Sequence, residues 1–242
     1  MVERTTSPPS QVAARPNPVR RHLPVVLGVV GLAQLLVVVD TTIVNIALPS
    51  ARQELGMSET AAQWTLTAYT LAFGGLLLLG GRLADRWGRR KALITGALGF
   101  ACASCLGGTA GDAAVLITAR AAQGVFAALL APATLSILAV TFTEPADRVR
   151  AYSALSAIAM SGSAVGLLAG GALAQFLDWR WCLLVNLPPA VATAVGAKVS
   201  LPAMAGDSRS RLDWTSAAVG GGGVAVLAYA LSGATAAGAA PR

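Results

Sequence analysis

The sequence predicts an all-α polytopic membrane protein, and three observations carry that prediction. Hydrophobic residues make up 55% of the chain and charged residues only 12%, against roughly 25% charge in soluble domains. The apolar residues gather in seven runs, each near the roughly 20 helical residues that cross a hydrocarbon core. The basic residues fall almost entirely between those runs. Only helices satisfy their own backbone groups in lipid, so each run reads as a transmembrane helix.

Residues 1–22 are polar, rich in Pro and Ser, and basic through Arg4, Arg15, Arg20 and Arg21. They read as a disordered cytoplasmic tail. The run at about 23–48 is too long for the apolar core of a cleavable signal peptide, so it reads as a retained first span. Further spans are expected at about 62–80, 92–110, 113–140, 152–176 and 181–201, which makes 23–201 a six-helix unit. Residues 202–242 are expected to form a cytoplasmic loop, a seventh span at about 214–233 and a short outer tail.

The second and third spans are joined by Gly80-Gly81-Arg82-Leu83-Ala84-Asp85-Arg86-Trp87-Gly88-Arg89-Arg90-Lys91, which holds five of the chain's 18 basic residues. Two spans linked this closely form a hairpin, and short cytoplasmic loops carry the Arg/Lys excess. With the N-terminus inside, 14 basic residues fall on the inner side, three (Arg52, Arg180, Arg242) outside, and Arg120 within a span. The expected topology is N-terminus in and C-terminus out. The glycines suit a tight turn, and Asp85 has the chemistry to accept hydrogen bonds from helix N-terminal amides.

Two ionisable residues stand well inside predicted spans: Asp40 in the first and Arg120 in the fourth. Burying a charge there costs about 2.5–3.5 kcal/mol on insertion scales, so each needs a reason. A functional pair beside a central cavity is one reason. The alternatives are an Asp40 near the outer end of its helix touching water, and an Arg120 that snorkels to the interface. A faint repeat bears on the choice. Gly80-Gly81-Arg82-Leu83-Ala84 recurs as Gly170-Gly171-Ala172-Leu173-Ala174, three helices later and so in inverted orientation. Inverted three-helix repeats build transporter halves, with sites where the repeats meet. The first and fourth helices, bearing Asp40 and Arg120, would open the two repeats.

Other functional classes find little support. Cys102 and Cys105 lack a second Cys or His pair, so they read as small packing residues rather than a metal site. The single His22 lies in the tail. The glycines of the basic stretch are followed by no Gly-Lys-Ser/Thr, so no phosphate loop is present to drive an ATP-dependent machine. The net charge of +7 sits in loops without the aromatic interleaving of a nucleic-acid surface. No enzyme, metal or organic cofactor is expected.

The basic stretch resembles the signature between helices two and three of the major facilitator superfamily, with Gly81, Leu83, Asp85, Arg86, Gly88, Arg89 and Arg90 on the pattern. Val37–Pro49 (VVVDTTIVNIALP) resembles the helix-one signature of its fourteen-helix drug:proton antiporters. Leu116–Gly124 (LITARAAQG) resembles the helix-four motif linked with proton coupling. Gly162, Gly166, Gly170 and Gly171 resemble the helix-five antiporter motif, although Leu167 stands where proline is usual. Leu177–Ala190 (LDWRWCLLVNLPPA) resembles the segment opening helix six, with Cys182 at a position more often aromatic. Trp179 and Trp181 are then expected at the outer interface.

The resemblance implies the six-helix N-terminal half of a major facilitator fold, two inverted three-helix repeats plus a seventh linker helix. It implies proton-coupled efflux of a lipophilic drug or antibiotic across the cytoplasmic membrane, driven by the proton gradient. Asp40 and Arg120 would couple to protons, and Gly81, Asp85, Arg86, Gly88, Arg89 and Arg90 would form a conformational latch. Gln34, Asn45, Gln63, Trp64, Tyr69 and Gln123 would line the cavity, or alternatively serve helix packing. Activity would need a complementary C-terminal half or a second copy. The other reading is a non-transporting remnant or membrane assembly partner that keeps the motifs.

Overall fold

The computed structural model describes residues 18–202, 206 and 222–223, with side chains described from residue 23 onward. The tail up to residue 17 and nearly all of the expected seventh span at 214–233 lie outside the described residues. Within them, six helical segments are long and apolar enough to cross a membrane. The elements are α1 (Pro18–Glu54), α2 (Glu59–Trp87), α3 (Arg89–Gly108), α4 (Ala113–Thr141) and α5 (Pro145–Phe176), followed by a short α6 (Trp181–Leu184) and α7 (Leu187–Ser200). Together α6 and α7 make the sixth span.

Local chemistry starts and stops these helices. Ser58 caps α2 by accepting the Ala61 amide at 3.1 Å, and Asp112 caps α4 by accepting the Val115 amide at 2.9 Å. Pro145 opens α5, where a missing amide hydrogen costs nothing. Inside the spans, the hydroxyls of Thr65, Thr70, Thr118 and Thr193 donate to the carbonyl four residues back. These four hydroxyls thus enter lipid without being orphaned.

The expected loop between the second and third spans proves to be a joint of one residue. Gly88 alone separates α2 from α3, at φ 95° and ψ 130°, a backbone conformation that side chains resist. Gly81, Asp85 and Arg86 belong to the last turns of α2, and Arg89 and Arg90 open α3. Apolar runs mark only the hydrocarbon crossing, while the helix continues into the polar layer. Asp85 does not cap the α3 amides: α3 starts without a side-chain cap, and Asp85 sits 3.7 Å from the Arg89 guanidinium across the joint.

In the packing, α1 lies against α5, α2 against α4, α3 against α4 and α7, and α1 against α7. Exchanging spans one, two and three for four, five and six leaves that set of neighbours unchanged, as two inverted repeats require. The repeated glycines mark the same contact in each repeat. A side chain on Gly80 would run into the Ala128 backbone of α4, and one on Gly170 would meet Ile43 of α1 within 2.9 Å. Gly162 and Gly166 extend the second contact along α1, against Leu35 and Thr42, so close approach of the helices depends on their small size. Gly171 has nothing within 4 Å. Leu167 projects outward, 55% exposed, and α5 has no internal proline, so it runs unbroken through the motif.

Candidate functional site

The core divides into two apolar clusters. One takes Val26–Leu36 from α1 and much of α3, α4 and α7; the other gathers around Ile43, Met57, Trp179 and Leu183. Asp40 stands on α1 between them, with no exposed surface, and Arg120 of α4 is only 2% exposed. The Arg120 Nη1 donates to Asp40 Oδ2 at 2.7 Å. The same nitrogen donates to Gln123 Oε1 at 2.7 Å, so Arg120 does not form the two-pronged clamp that would lock the pair. Neither residue reaches water, so the outer-end and snorkelling alternatives do not describe this conformation.

The second carboxylate oxygen is also filled. Asn186 Nδ2 donates to Asp40 Oδ1 at 2.7 Å and Gln123 Nε2 at 3.1 Å, while Gln123 donates further to Ser104 Oγ at 2.7 Å. Three donors thus converge on one buried carboxyl group. The Tyr69 ring of α2 stacks under the Arg120 guanidinium, 4.3 Å from its centre, a contact strengthened where water is excluded. The Tyr69 hydroxyl and Arg120 Nε are buried without a hydrogen-bond partner among the described residues. The network crosses the repeat boundary, with Asp40, Tyr69 and Ser104 on the first three spans and Arg120, Gln123 and Asn186 on the second three.

Four expected residues therefore meet: Asp40, Arg120, Gln123 and Tyr69. Gln123 and Tyr69 are buried, 0% and 4% exposed, and both contact the pair. Gln34 is half-buried elsewhere on α1, and Trp64 is exposed on α2. Asn45 and Gln63 line a separate depression of about 430 Å³ between α1 and α2, near the Arg52–Glu59 ion pair at 2.7 Å. Sequence reasoning assigned no role to Asn186 or Ser104. Asn186 belongs to the quoted helix-six segment, but its contact with Asp40, 146 residues away, has no sequence signal. Ser104 is a small residue in an apolar run.

A second cluster closes the end of the bundle opposite the α2–α3 joint. Glu54, the last residue of α1, accepts from Trp179 Nε1 at 2.8 Å and from Arg180 Nη1 at 2.6 Å. Arg180 also donates to the Ala110 carbonyl at 3.2 Å and stacks over the Trp179 ring. Its hydrogen bond to Glu54 raises the Arg180 pKa. Trp179 is buried against the bundle, 3% exposed, with its N–H on the half-exposed Glu54, and Trp181 is 49% exposed.

Six lipid-length spans in two inverted sets, closed around a buried acid–base pair, define a multi-pass membrane unit with a polar seam at its centre. The chain belongs to the Major Facilitator Superfamily, whose family model matches residues 30–228. It is 54% identical over 207 residues to the puromycin resistance protein of Streptomyces alboniger, covering 85% of this chain and 41% of that relative. It is 42% identical over 202 residues to the cephamycin export protein of Amycolatopsis lactamdurans, covering 83% and 42%. Among solved structures, a peptide transporter in complex with sulfate shares the fold at a TM-score of 0.67 and 18% identity, covering 88% of this chain and 46% of that one. The chain spans about two fifths of the curated relatives' length and corresponds to a partial N-terminal half of such a transporter. Membership places it among transporters, not enzymes.

Proposed function

We propose that the chain serves as the N-terminal half of a proton-coupled exporter of antibiotics or lipophilic drugs in the cytoplasmic membrane. The observation that carries this reading is the buried Asp40–Arg120 pair at the seam between the two repeats. The antibiotic resistance and export proteins among its relatives support the substrate class. The charge count supports an N-terminus inside and a C-terminus outside. The proton gradient is the energy source, and no cofactor is needed.

Arginine stays protonated, so the proton must ride on Asp40. In this conformation the carboxylate is sealed and saturated, and proton exchange requires the seam to open. Protonation removes the charge that holds Arg120, Gln123 and Asn186 to α1, which frees the first repeat to move against the second. A cationic or polar substrate that draws on the same carboxylate competes with the proton. The latch role of Gly81, Asp85, Arg86, Gly88, Arg89 and Arg90 fits this scheme, because the half-exposed Asp85–Arg89 pair is accessible to a complementary half.

The test is antibiotic export in cells expressing the chain with a complementary six-helix half. Expected are no export by the chain alone above an empty vector, and paired export that collapses with a protonophore and with Asp40→Asn. Export indifferent to both would contradict proton coupling through Asp40, and strong export by the chain alone would contradict the need for a second half.

A further inference from the structure

A groove of about 560 Å³ opens between α3 and α7 at the end of the bundle that bears the α2–α3 joint. Ile94 and Leu98 of α3 and Val195 of α7 form its walls, and Leu98 and Val195 are 45% and 55% exposed. Arg90, Lys91 and Lys198 stand at its mouth. Sixteen of the chain's 18 basic residues are arginines, and its only two lysines both line this groove. Arg90 donates to the Lys198 carbonyl at 2.7 Å, which ties the mouth of the groove to the last turn of α7. Both lysine side chains are exposed.

A second depression of about 520 Å³ shares Lys91 and Ile94 with the first and adds Arg86 and Trp87. Trp87, the last residue of α2, is 47% exposed, and indoles favour the boundary between headgroups and chains. No Asp or Glu is among the described residues lining either depression. The arrangement has a direction: cations and an indole at the polar end, and an apolar trough running from them towards the bilayer core.

We infer that this groove binds an anionic phospholipid, its phosphate held by Lys91 and Lys198 with Arg90 and its acyl chain laid between α3 and α7. Charge complementarity selects the occupant. A zwitterionic lipid fits the trough but gains little at a mouth carrying three cations, and a free phosphate meets the mouth but leaves the apolar walls uncovered. The site lies at the end of the bundle that the charge distribution assigns to the cytoplasm. It is separate from the Asp40 network and does not depend on the transport reading.

The test is native mass spectrometry of the full chain from detergent, titrated with phosphatidylglycerol or phosphatidylcholine. Each cation near an anionic headgroup is worth about fivefold in affinity, so the two lysines give an expected preference for phosphatidylglycerol on the order of 25-fold. Lys91→Gln/Lys198→Gln should lower phosphatidylglycerol retention by a similar factor, with helical content unchanged by circular dichroism. Arg150→Gln, which removes an 83%-exposed cation at the start of α5, should leave retention unaltered, and millimolar inorganic phosphate should not displace the lipid. Equal retention of the two lipids, an unaffected double variant, an equal loss in Arg150→Gln, or displacement by phosphate would each overturn the assignment.

Discussion

At the scale of single residues, Asp40 and Arg120 behave as one unit. Removing one partner of a buried ion pair strands the other and costs about 3–5 kcal/mol, whereas removing both relieves most of that penalty. Asp40→Asn alone should therefore lower the thermal midpoint of the purified chain markedly. Asp40→Asn/Arg120→Gln should recover more than half of the loss, and a double variant no better than the single would mean that Arg120 finds its stabilisation elsewhere. Asn186→Leu removes a hydrogen bond to a charged group, worth about 1.5–3 kcal/mol. Combined with Asp40→Asn it should cost less than the sum of the two, because both changes break the same contact; strict additivity in thermal melts would show them to be independent. The pair itself was legible in the sequence, since charges at bilayer depth are rare enough to single out two positions. Asn186 and Ser104 were not, because an amide or hydroxyl in a span can satisfy itself on its own helix, as Thr65 and Thr193 do here.

At the scale of elements, the helix-five glycines are a packing surface with a defined edge. A Cβ at Gly166 collides with the Thr42 side chain of α1, while Gly171, in the same motif, faces open space. Gly166→Val should then destabilise the chain by about 1–3 kcal/mol as overpacking does, and Gly171→Ala should be nearly neutral. Thermal melting in detergent compares them directly, and equal effects would remove the α1–α5 crossing as the explanation. The repeat of Gly-Gly at 80 and 170 pointed to this symmetry from sequence alone, and the structure gives it a cause in two equivalent close approaches. The joint at Gly88 was less legible. Hydropathy marks where a helix enters lipid, but only backbone geometry shows that α2 continues to Trp87 and turns on one residue.

At the scale of the whole molecule, a polar seam crosses an otherwise apolar bundle and ties one repeat to the other. Beyond the seam, Glu54, Trp179 and Arg180 clamp one end of the bundle, and the α2–α3 joint stands at the opposite end. Such a body has two three-helix sets joined through the buried Asp40–Arg120 pair. Every partner of Asp40 in the seam lies within this chain, so the proposal is testable on this chain by itself. The direct test is an infrared pH titration of the purified chain, comparing the parent with Asp40→Asn. The account predicts a buried carboxylic acid band that appears and disappears with pH in the parent and is missing from Asp40→Asn. An identical set of titrating bands in the two proteins would contradict it, and Asp40 could not then be the proton carrier.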